Sequence, residues 1–362
     1  MDKRRIQSLG TKRTGKETFT VSLPYEWAKK MKEPPNNGEV YIKSYGDKII
    51  LVPSEPVAAN GIEIMLNEDR PEELESEIIS AYMRNYQNIT IKLPSGSEQS
   101  IAKLEELRRK LYGMLPISYL NGQISVTVST PMIPIRNVMG NAYGFSLSIY
   151  GKNEEIMGKD LFEDLSSQRE KEQVESWETD VDLHTFLAKR LLNQSLIDPE
   201  AAIEMGIDNL QDVLEYSSIV SNIERLSDIQ QELYSTLNEF NSELSHKEKK
   251  PSDTPFHLSE FPNSKASFLK YYQQSNRMVS DAFEGSSVDD HVRLLNILKG
   301  RGKMYRPGYI EDGFKKDLIE KSMESDYRLH LLRIENKIWA ITGIATNIAE
   351  AWMNMHRYYK NG

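Results

Sequence analysis

Hydrophobic and polar residues alternate in the first fifty residues of the chain. In "ETFTVSLP" an apolar side chain stands at every second position from Phe19 to Leu23, which predicts a strand that ends at Pro24. "YEWAKKM" follows with helical spacing, and "EVYIKSYGDKIILVP" contains two strand-like runs separated by "YGD", which predicts a hairpin. Together with the basic start, the segment is expected to form strand, strand, helix, strand, strand.

Residues 56–131 mix both periodicities. "IEIML", "ITIKL" and "GQISVTVST" predict strands, and two stretches around Leu74 and Leu104 show the 3.6-residue period of helices. The segment contains no glycine-rich phosphate loop and no nucleophile motif. It is therefore expected to be an α/β connecting module.

From Pro134 onward the pattern is helical. In "EKEQVESWETDVDLHTFLAKRLLNQSL" the apolar positions run from Val181 to Leu192 and are expected to face a core. His184 lies off the acidic row of this helix and is expected to be a packing or surface residue.

An internal repeat is present in the helical part. Aligning residues 222–237 with residues 337–352 places the apolar residues of both segments in register. The superposed pairs are Ile223 with Ile338, Ile229 with Ile344, and Leu233 with Ile348. Residues 245–263 between the copies are charged, contain proline and lack periodicity, which is typical of a linker.

At 362 residues the chain exceeds what one hydrophobic core usually organises, so several domains are expected. The fold class is expected to be α+β and multidomain. The predicted boundaries are 1–55 for the N-terminal domain, 56–131 for the α/β module, 132–244 for the first helical repeat, 245–263 for the linker and 264–362 for the second repeat. No apolar run reaches the roughly 20 residues that span a bilayer, and no signal peptide precedes the basic start, so a cytoplasmic protein without membrane insertion is expected.

Positive charge is concentrated at the start of an acidic chain. The formal net charge is -9, yet residues 1–32 hold nine Lys and Arg against three acids, so the remaining residues carry -15. This asymmetry indicates a cationic contact surface on an anionic body, with a solvated terminus as the simpler alternative. A segment of about 50 residues cannot bury much of its own surface, so pairing with a second copy is also expected.

"IQSLGTKRTGKETFTVSLPYEWAKK" followed by "NNGEVYIKSYGDKIILVP" resembles the swapped-hairpin DNA-binding domains of the AbrB and SpoVT type. The resemblance implies a shared β-barrel in an obligate homodimer that binds double-stranded DNA. One departure is "EPPNNGE" where the family usually has "lkpGd". The cations expected to contact DNA phosphates are Arg4, Arg5, Lys12, Arg13 and Lys16.

The helical part contains two pairs of acidic residues, and the two members of each pair are one helical turn apart. They are Glu178 with Asp182 and Glu224 with Asp228. A solvated acidic face explains either pair alone, whereas both pairs facing one groove would supply oxygen ligands for a hard cation such as Mg²⁺, Mn²⁺ or iron. The chain has no cysteine and six histidines without short spacing, so zinc is not expected.

"IERLSDIQ" and "TNIAEAW" are similar to elements of the PhoU family, regulators of phosphate uptake built from two three-helix repeats. The resemblance covers residues 132–360 and implies that the two acidic pairs bind a divalent metal or iron. Trp339 and Gly343 replace the second pair in the second repeat, so one carboxylate site is expected. With the N-terminal resemblance, nearly the full chain resembles archaeal phosphate uptake regulators.

The expected function is therefore a DNA-binding transcriptional regulator of phosphate uptake with a helical sensor body. The alternative is an adaptor that acts by contacting a phosphate transporter or signalling kinase. A metal-dependent hydrolase is the least favoured reading, because no His or Lys is positioned as a base near the acidic rows. "GRGKMYRPGY", residues 300–309, is left without a role.

Overall fold

The chain is α+β and divides into two compact units, Met1–Asn60 and Gly61–Gly362. The computed structural model describes residues 6–10, 17–31, 40–45, 48–52, 61–66, 68–94, 97–120, 123–158, 168–247, 262–285, 290–304 and 325–359. Within these ranges, no helix combines the length and the apolar character that crossing a membrane requires.

The first unit consists of two antiparallel hairpins and a short helix. Strands β1 (Ile6–Gly10) and β2 (Glu17–Val21) form the first hairpin, and helix α1 (Tyr25–Met31) follows Pro24. Strands β3 (Tyr41–Tyr45) and β4 (Lys48–Val52) form the second hairpin. These elements confirm the order expected from the sequence. The two hairpins are separate two-stranded sheets.

The second unit begins with a four-stranded sheet. Its strands are β5 (Gly61–Met65), β6 (Asn88–Lys92), β7 (Ser118–Leu120) and β8 (Gln123–Thr127), in the order β5-β6-β8-β7. β5 and β6 are parallel and are joined through helix α2 (Pro71–Met83), while β6, β8 and β7 pair antiparallel. Helix α3 (Glu98–Lys110) lies between β6 and β7 in the chain. The three-residue strand β7 was missed in the sequence, since it is too short to show alternation.

One face of this sheet is buried and the other is open. Alternate residues of the strands, such as Ile64, Ile91 and Val126, pack with Leu74 of α2 and Leu104 of α3 in one core. The intervening positions face away from this core. The exposed residues among them are Gly61, Glu63, Met65, Asn88, Ser118, Gln123, Ser125 and Thr127. Such a one-sided sheet is usual where strands pair antiparallel.

The rest of the second unit is helical. Its helices are α4 (Ile135–Gly158), α5 (Gln168–Ile197), α6 (Pro199–Glu204), α7 (Asp212–Lys247), α8 (Pro262–Glu284), α9 (His291–Met304) and α10 (Ser325–Tyr359). Helices α4, α5 and α7 pack against one another, and so do α8, α9 and α10. Helix α7 continues to Lys247, so the linker predicted from residue 245 begins at least three residues later.

Helices α7 and α10 run antiparallel and join the two sets. Asn347 Nδ2 donates to Asn222 Oδ1 at 3.0 Å, and near the other end of the contact Lys337 forms an ion pair with Glu232. In the repeat alignment residue 222 corresponds to 337, and residue 232 corresponds to 347. The alignment therefore places the contact between residues 222 and 347 on the contact between residues 337 and 232. An approximate twofold axis between the two helices requires this correspondence. The six apolar residues of the aligned seam all lie in the core.

Candidate functional site

The structure brings the two predicted acidic pairs together. Glu178 and Asp182 stand one turn apart on α5, Glu224 and Asp228 stand one turn apart on α7, and these two helices pack side by side. The four residues are called the carboxylate cluster below. Their proximity shows in the electrostatics, because the charges of Glu224 and Asp228 act on both carboxyl groups of α5.

Asp182 is the most perturbed member of the carboxylate cluster. Partial burial, followed by the charges of Glu178, Glu224 and Asp228, raises the pKa of Asp182 to about 7. Lys189 opposes this shift but does not cancel it. Asp182 therefore carries a proton for much of the neutral range, because ionising it would add a charge to a site that is already negative.

Glu178 and Asp228 are perturbed in the same direction. Burial and then the charge of Asp228 raise the pKa of Glu178, while a hydrogen bond with Asp182 partly offsets the rise. Burial and then the charge of Glu224 raise the pKa of Asp228, with a further contribution from Glu232. Repulsion among like charges thus accompanies desolvation across both helices, and a bound cation would relieve it.

Two lysines lie beside this acidic surface. Lys189 Nζ is 2.5 Å from Glu224 Oε2, and Lys337 pairs with Glu232 one turn beyond Asp228. In the described part of the chain, no group of three or more acidic or histidine side chains is arranged to hold a metal ion. The donor set, all carboxylate oxygen, suits a hard cation, but such an ion would require side-chain rearrangement that frees Glu224 from Lys189.

The second repeat has no matching acidic pair. Trp339 and Gly343 of α10 occupy the positions that correspond to Glu224 and Asp228 in the alignment, and neither side chain can bind a cation. The two halves of the helical body are therefore chemically different despite their similar packing.

The five cations predicted to contact DNA lie outside the described residues. They are Arg4, Arg5, Lys12, Arg13 and Lys16. Residues 300–304 of the unassigned stretch belong to α9, so its first half is helix rather than loop, and residues 305–309 are outside the described ranges.

His184 is a packing residue, as expected. Its ring Nδ1 lies 2.7 Å from the carbonyl oxygen of Asp180, and its Nε2 lies 3.4 Å from the hydroxyl of Tyr112. The rings of Tyr112 and Phe145 lie against it, each with a centroid 5.4 Å away. These contacts place His184 between the α/β layer and α4 rather than in the carboxylate cluster.

Arg190 connects α5 to the end of α2 by hydrogen bonds, a role that was not predicted from the sequence. Its guanidinium is buried and donates to the carbonyl oxygens of Tyr82 and Tyr86 at 2.9 and 3.0 Å, beside the ring of Tyr82. Asn193, one turn further along α5, donates to the carbonyl oxygen of Met83 at 2.8 Å. These groups donate to carbonyls at the end of α2 and just after it, where the carbonyl of Tyr82 also accepts from the amide of Asn85 at 3.0 Å. Burial lowers the pKa of Arg190 to about 10, so the side chain stays charged at neutral pH.

A buried polar network joins the two repeats. Gln230 of α7 accepts from the hydroxyl of Ser146 at 2.8 Å and donates to Asn276 of α8 at 3.0 Å. Nearby, Asn153 of α4 donates to the hydroxyl of Tyr272 of α8 at 3.1 Å. Since polar groups in a core must find partners, this network specifies how α4, α7 and α8 meet.

No family model, curated protein or solved structure matches this chain. The residues and contacts of the chain itself are therefore the basis for a functional conclusion.

Proposed function

We propose that the chain is a homodimeric, DNA-binding transcriptional regulator of phosphate uptake whose helical body senses an effector. The observation that carries the proposal is the exposed apolar surface of the first unit. Among the described residues its two hairpins do not pair with each other, and large apolar side chains on them face solvent. Such a unit is incomplete as a single copy.

Two of these exposed side chains lie on the same face of the second hairpin. Ile42 pairs across the hairpin with Leu51, and Ser44 pairs with Ile49, so Ile42 and Ile49 share one face. They are 66% and 71% exposed, respectively. A second copy that interleaves its hairpins with these would cover that face and form one common core, as in the swapped-hairpin barrel of the AbrB and SpoVT type.

Charge supports DNA as the ligand of such a dimer. Residues 1–32 carry a net +6 while the rest of the chain carries -15. Two copies would bring two sets of Arg4, Arg5, Lys12, Arg13 and Lys16 to one particle, and contacts of this kind to phosphates supply affinity without sequence information. Bases would then be read by other groups or by DNA shape. A regulator of this kind works in the cytoplasm.

The helical body would be the sensor. Its two sets of three packed helices fit the PhoU-like architecture expected from the sequence, and this resemblance is the basis for naming phosphate uptake. The carboxylate cluster of the first repeat, Glu178, Asp182, Glu224 and Asp228, would hold one divalent cation or iron. A ligand shifts a conformational equilibrium only by its difference in affinity for the two states, so the cation would have to favour one arrangement of α5 and α7.

DNA affinity measured against salt concentration tests the proposal. Full-length protein and duplex DNA fragments are compared by fluorescence anisotropy, and the logarithm of the affinity should fall linearly as the logarithm of salt rises. The variant in which Arg4, Arg5, Arg13 and Lys16 are replaced by Glu should lose binding while sedimenting as the same dimer. Affinity that is insensitive to salt, or full binding by this variant, would overturn DNA binding through this surface.

A second arm tests the sensor. DNA affinity is measured with millimolar Mn²⁺ and with a chelator, for the natural chain and for Asp228→Asn. Mn²⁺ also competes for DNA phosphates, which affects both proteins, so the response of the natural chain should differ several-fold from that of the variant, as a coupling of about 1 kcal/mol implies. Equal responses of the two proteins would show that a cation at this site is not the effector, and the proposal of DNA binding would remain.

The adaptor function has one observation in its favour. Leu196, Ile197 and Leu214, around the α5-α6-α7 connection, are large aliphatic side chains at least half exposed. Exposed apolar groups of this kind are frequent at protein contacts. If the four-fold charge reversal leaves DNA retention intact, or if DNA is not bound at all, the adaptor becomes the better description.

A further inference from the structure

Strand β5 is an open edge of the four-stranded sheet. It stands at the end of the order β5-β6-β8-β7, so only β6 pairs with it among the described strands. The amide of Leu66 donates to the carbonyl oxygen of Lys92 on β6. Because alternate residues of a strand direct their backbone groups to opposite sides, Gly61, Glu63 and Met65 present theirs to the free edge.

This edge lacks most features that prevent pairing between chains. β5 has five residues, no proline and two isoleucines, whereas β7 at the opposite edge has three residues. Its one charge, Glu63, is compensated by Lys92 of β6, whose Nζ lies 2.6 Å from Glu63 Oε1. Met65 is 61% exposed on the open face. A regular strand with a compensated charge is a template for a further strand.

The residues of β5 complement a second copy of β5. In an antiparallel pair centred on Glu63, Gly61 of each copy faces Met65 of the other, and all three outward residues form hydrogen-bonded pairs. Gly61 has no side chain, which leaves room on the open face for Met65. Glu63 and Lys92 from the two copies would form a group of two carboxylates and two ammonium groups, so the centre of the pair is electrically balanced.

The proposed dimer would bring the two copies of β5 together. Residues 53–60, eight in number, separate β4 from β5. Tethers this short raise the effective concentration of the joined parts to the order of millimolar. This step depends on the proposed dimerisation of the first unit, and it favours a second copy of this chain over an unrelated peptide as the occupant of the edge.

We propose that β5 pairs antiparallel with β5 of the second copy, which joins the two four-stranded sheets into one continuous sheet across the dimer. The dimer is then held at two places, the interleaved hairpins and the paired edges. Each second unit is then held to its counterpart through the paired edges.

A single engineered cysteine tests the pairing, since the natural chain has none. In the proposed register the two copies of residue 63 are directly opposed, with Cα atoms about 5.5 Å apart, a separation that a disulfide can bridge. Full-length Glu63→Cys is oxidised in air and followed by non-reducing electrophoresis. The control is Ser118→Cys, which lies in the same cross-sheet row but on β7 at the opposite edge.

A pair of double variants tests the backbone contacts. Met65→Pro removes an outward-facing amide without touching the β5-β6 pairing, and Met65→Ala removes the same side chain while keeping the amide. Each is combined with Glu63→Cys. Cross-linking of Glu63→Cys should be at least about tenfold faster than that of Ser118→Cys, and Met65→Pro should slow it several-fold relative to Met65→Ala.

The outcomes separate this inference from the proposed function. Sedimentation of the reduced protein first establishes whether it is a dimer. A dimer in which Glu63→Cys cross-links no faster than Ser118→Cys, or in which Met65→Pro and Met65→Ala behave alike, overturns the edge pairing and leaves the hairpin dimer in place. A monomer at all concentrations overturns both.

Discussion

Asp182 is the residue in which the packing of α5 against α7 has the clearest chemical effect. Its pKa rises from an ordinary value of 3.8 to about 7 because burial is combined with three nearby carboxylates. Between about pH 4 and pH 7 the folded chain therefore keeps a proton that the unfolded chain has lost. Stability consequently falls as pH rises through this window.

Asp182→Asn should remove this penalty. At pH 8, with a chelator present, we expect the free energy of unfolding to rise by roughly 1 to 2 kcal/mol, less than the full shift implies because the side chain is partly exposed. The gain should shrink towards zero as pH falls to 4. Urea denaturation at several pH values measures it.

Asp180→Asn is the matched control for this experiment. It makes the same substitution two residues away on α5, outside the carboxylate cluster. Its effect on stability should be smaller than that of Asp182→Asn at pH 8. A gain for Asp182→Asn that does not change between pH 4 and pH 8 would contradict the electrostatic origin of the shift.

The acidic residues could be predicted and Arg190 was not, for a definite reason. Two acids one turn apart are visible in any helical pattern, and the PhoU resemblance implied that the two pairs bind one metal. Arg190, by contrast, lies one turn after Leu187, within the apolar face of α5, where a cation would ordinarily be excluded. That position was the available signal, but its partners are backbone carbonyls of another helix, which leave no mark in the sequence.

Between elements, Arg190 and Asn193 attach the helical body to the α/β layer. They connect α5, which carries half of the carboxylate cluster, to the last carbonyls of α2. Lys189, the residue before Arg190, pairs with Glu224. Lys189 therefore contacts the carboxylate cluster while the next residue, Arg190, contacts the α/β layer. A displacement of α5 at one of these contacts would also displace the other.

Arg190→Met should destabilise the second unit by roughly 1 to 3 kcal/mol, because it removes the buried hydrogen bonds of the guanidinium to the carbonyls of Tyr82 and Tyr86, of which Tyr82 keeps the amide of Asn85 as a donor. Urea denaturation gives the loss. Amide hydrogen exchange should accelerate first around Asn85 and Tyr86, which follow α2. Arg225→Met, at an exposed position of α7, should change stability by no more than about 0.5 kcal/mol. Equal effects of the two variants would show that the carbonyl contacts contribute little.

Helices and strands with a strong period were predicted well, and short or polar elements were not. The apolar rows of α5, α7 and α10 and the alternation in β5 and β6 are confirmed. For β2 the strand itself is confirmed, but Val21, expected on its buried face, is 50% exposed. β7 has three residues and no detectable alternation, and α7 extends into residues whose charge and polarity indicated a linker. The network at Gln230 could not be foreseen, since polar residues in a helix are more often solvated than paired in a core.

At the scale of the whole molecule, the exposed face of the second hairpin is where dimerisation can be tested. Ile42→Asp places a carboxylate in the face that the second copy would cover, and an unpaired buried charge costs several kcal/mol. We expect the dimer dissociation constant to rise at least about a hundredfold. Sedimentation velocity over a concentration series measures it.

Leu214→Asp makes the same kind of substitution at a position of α7 that is 76% exposed. The dimer should be unaffected by it. Full retention of the dimer by Ile42→Asp, or dissociation by Leu214→Asp alone, would place the dimer contact elsewhere.

The division of the chain into β-rich, mixed and helical parts follows from periodicity because each part has its own repeat of apolar positions. DNA contact, dimerisation and phosphate regulation remain predictions, since Arg4, Arg5, Lys12, Arg13 and Lys16 lie outside the described residues. The metal role of the carboxylate cluster also remains a prediction. Helix spacing predicted that the two acids of each pair lie together, whereas the meeting of the two pairs and the ion pair between Lys189 and Glu224 depend on how α5 and α7 are rotated.

The approximate twofold relation between α7 and α10 holds for their packing but not for the residues of the carboxylate cluster. If the two halves were identical, each would have its own cation site, and bound cations would act equally on both halves. Here Glu224 and Asp228 have Trp339 and Gly343 as counterparts, so a cation bound at the proposed site would act directly on the first repeat alone. Its effect would reach the second repeat through the contact between α7 and α10.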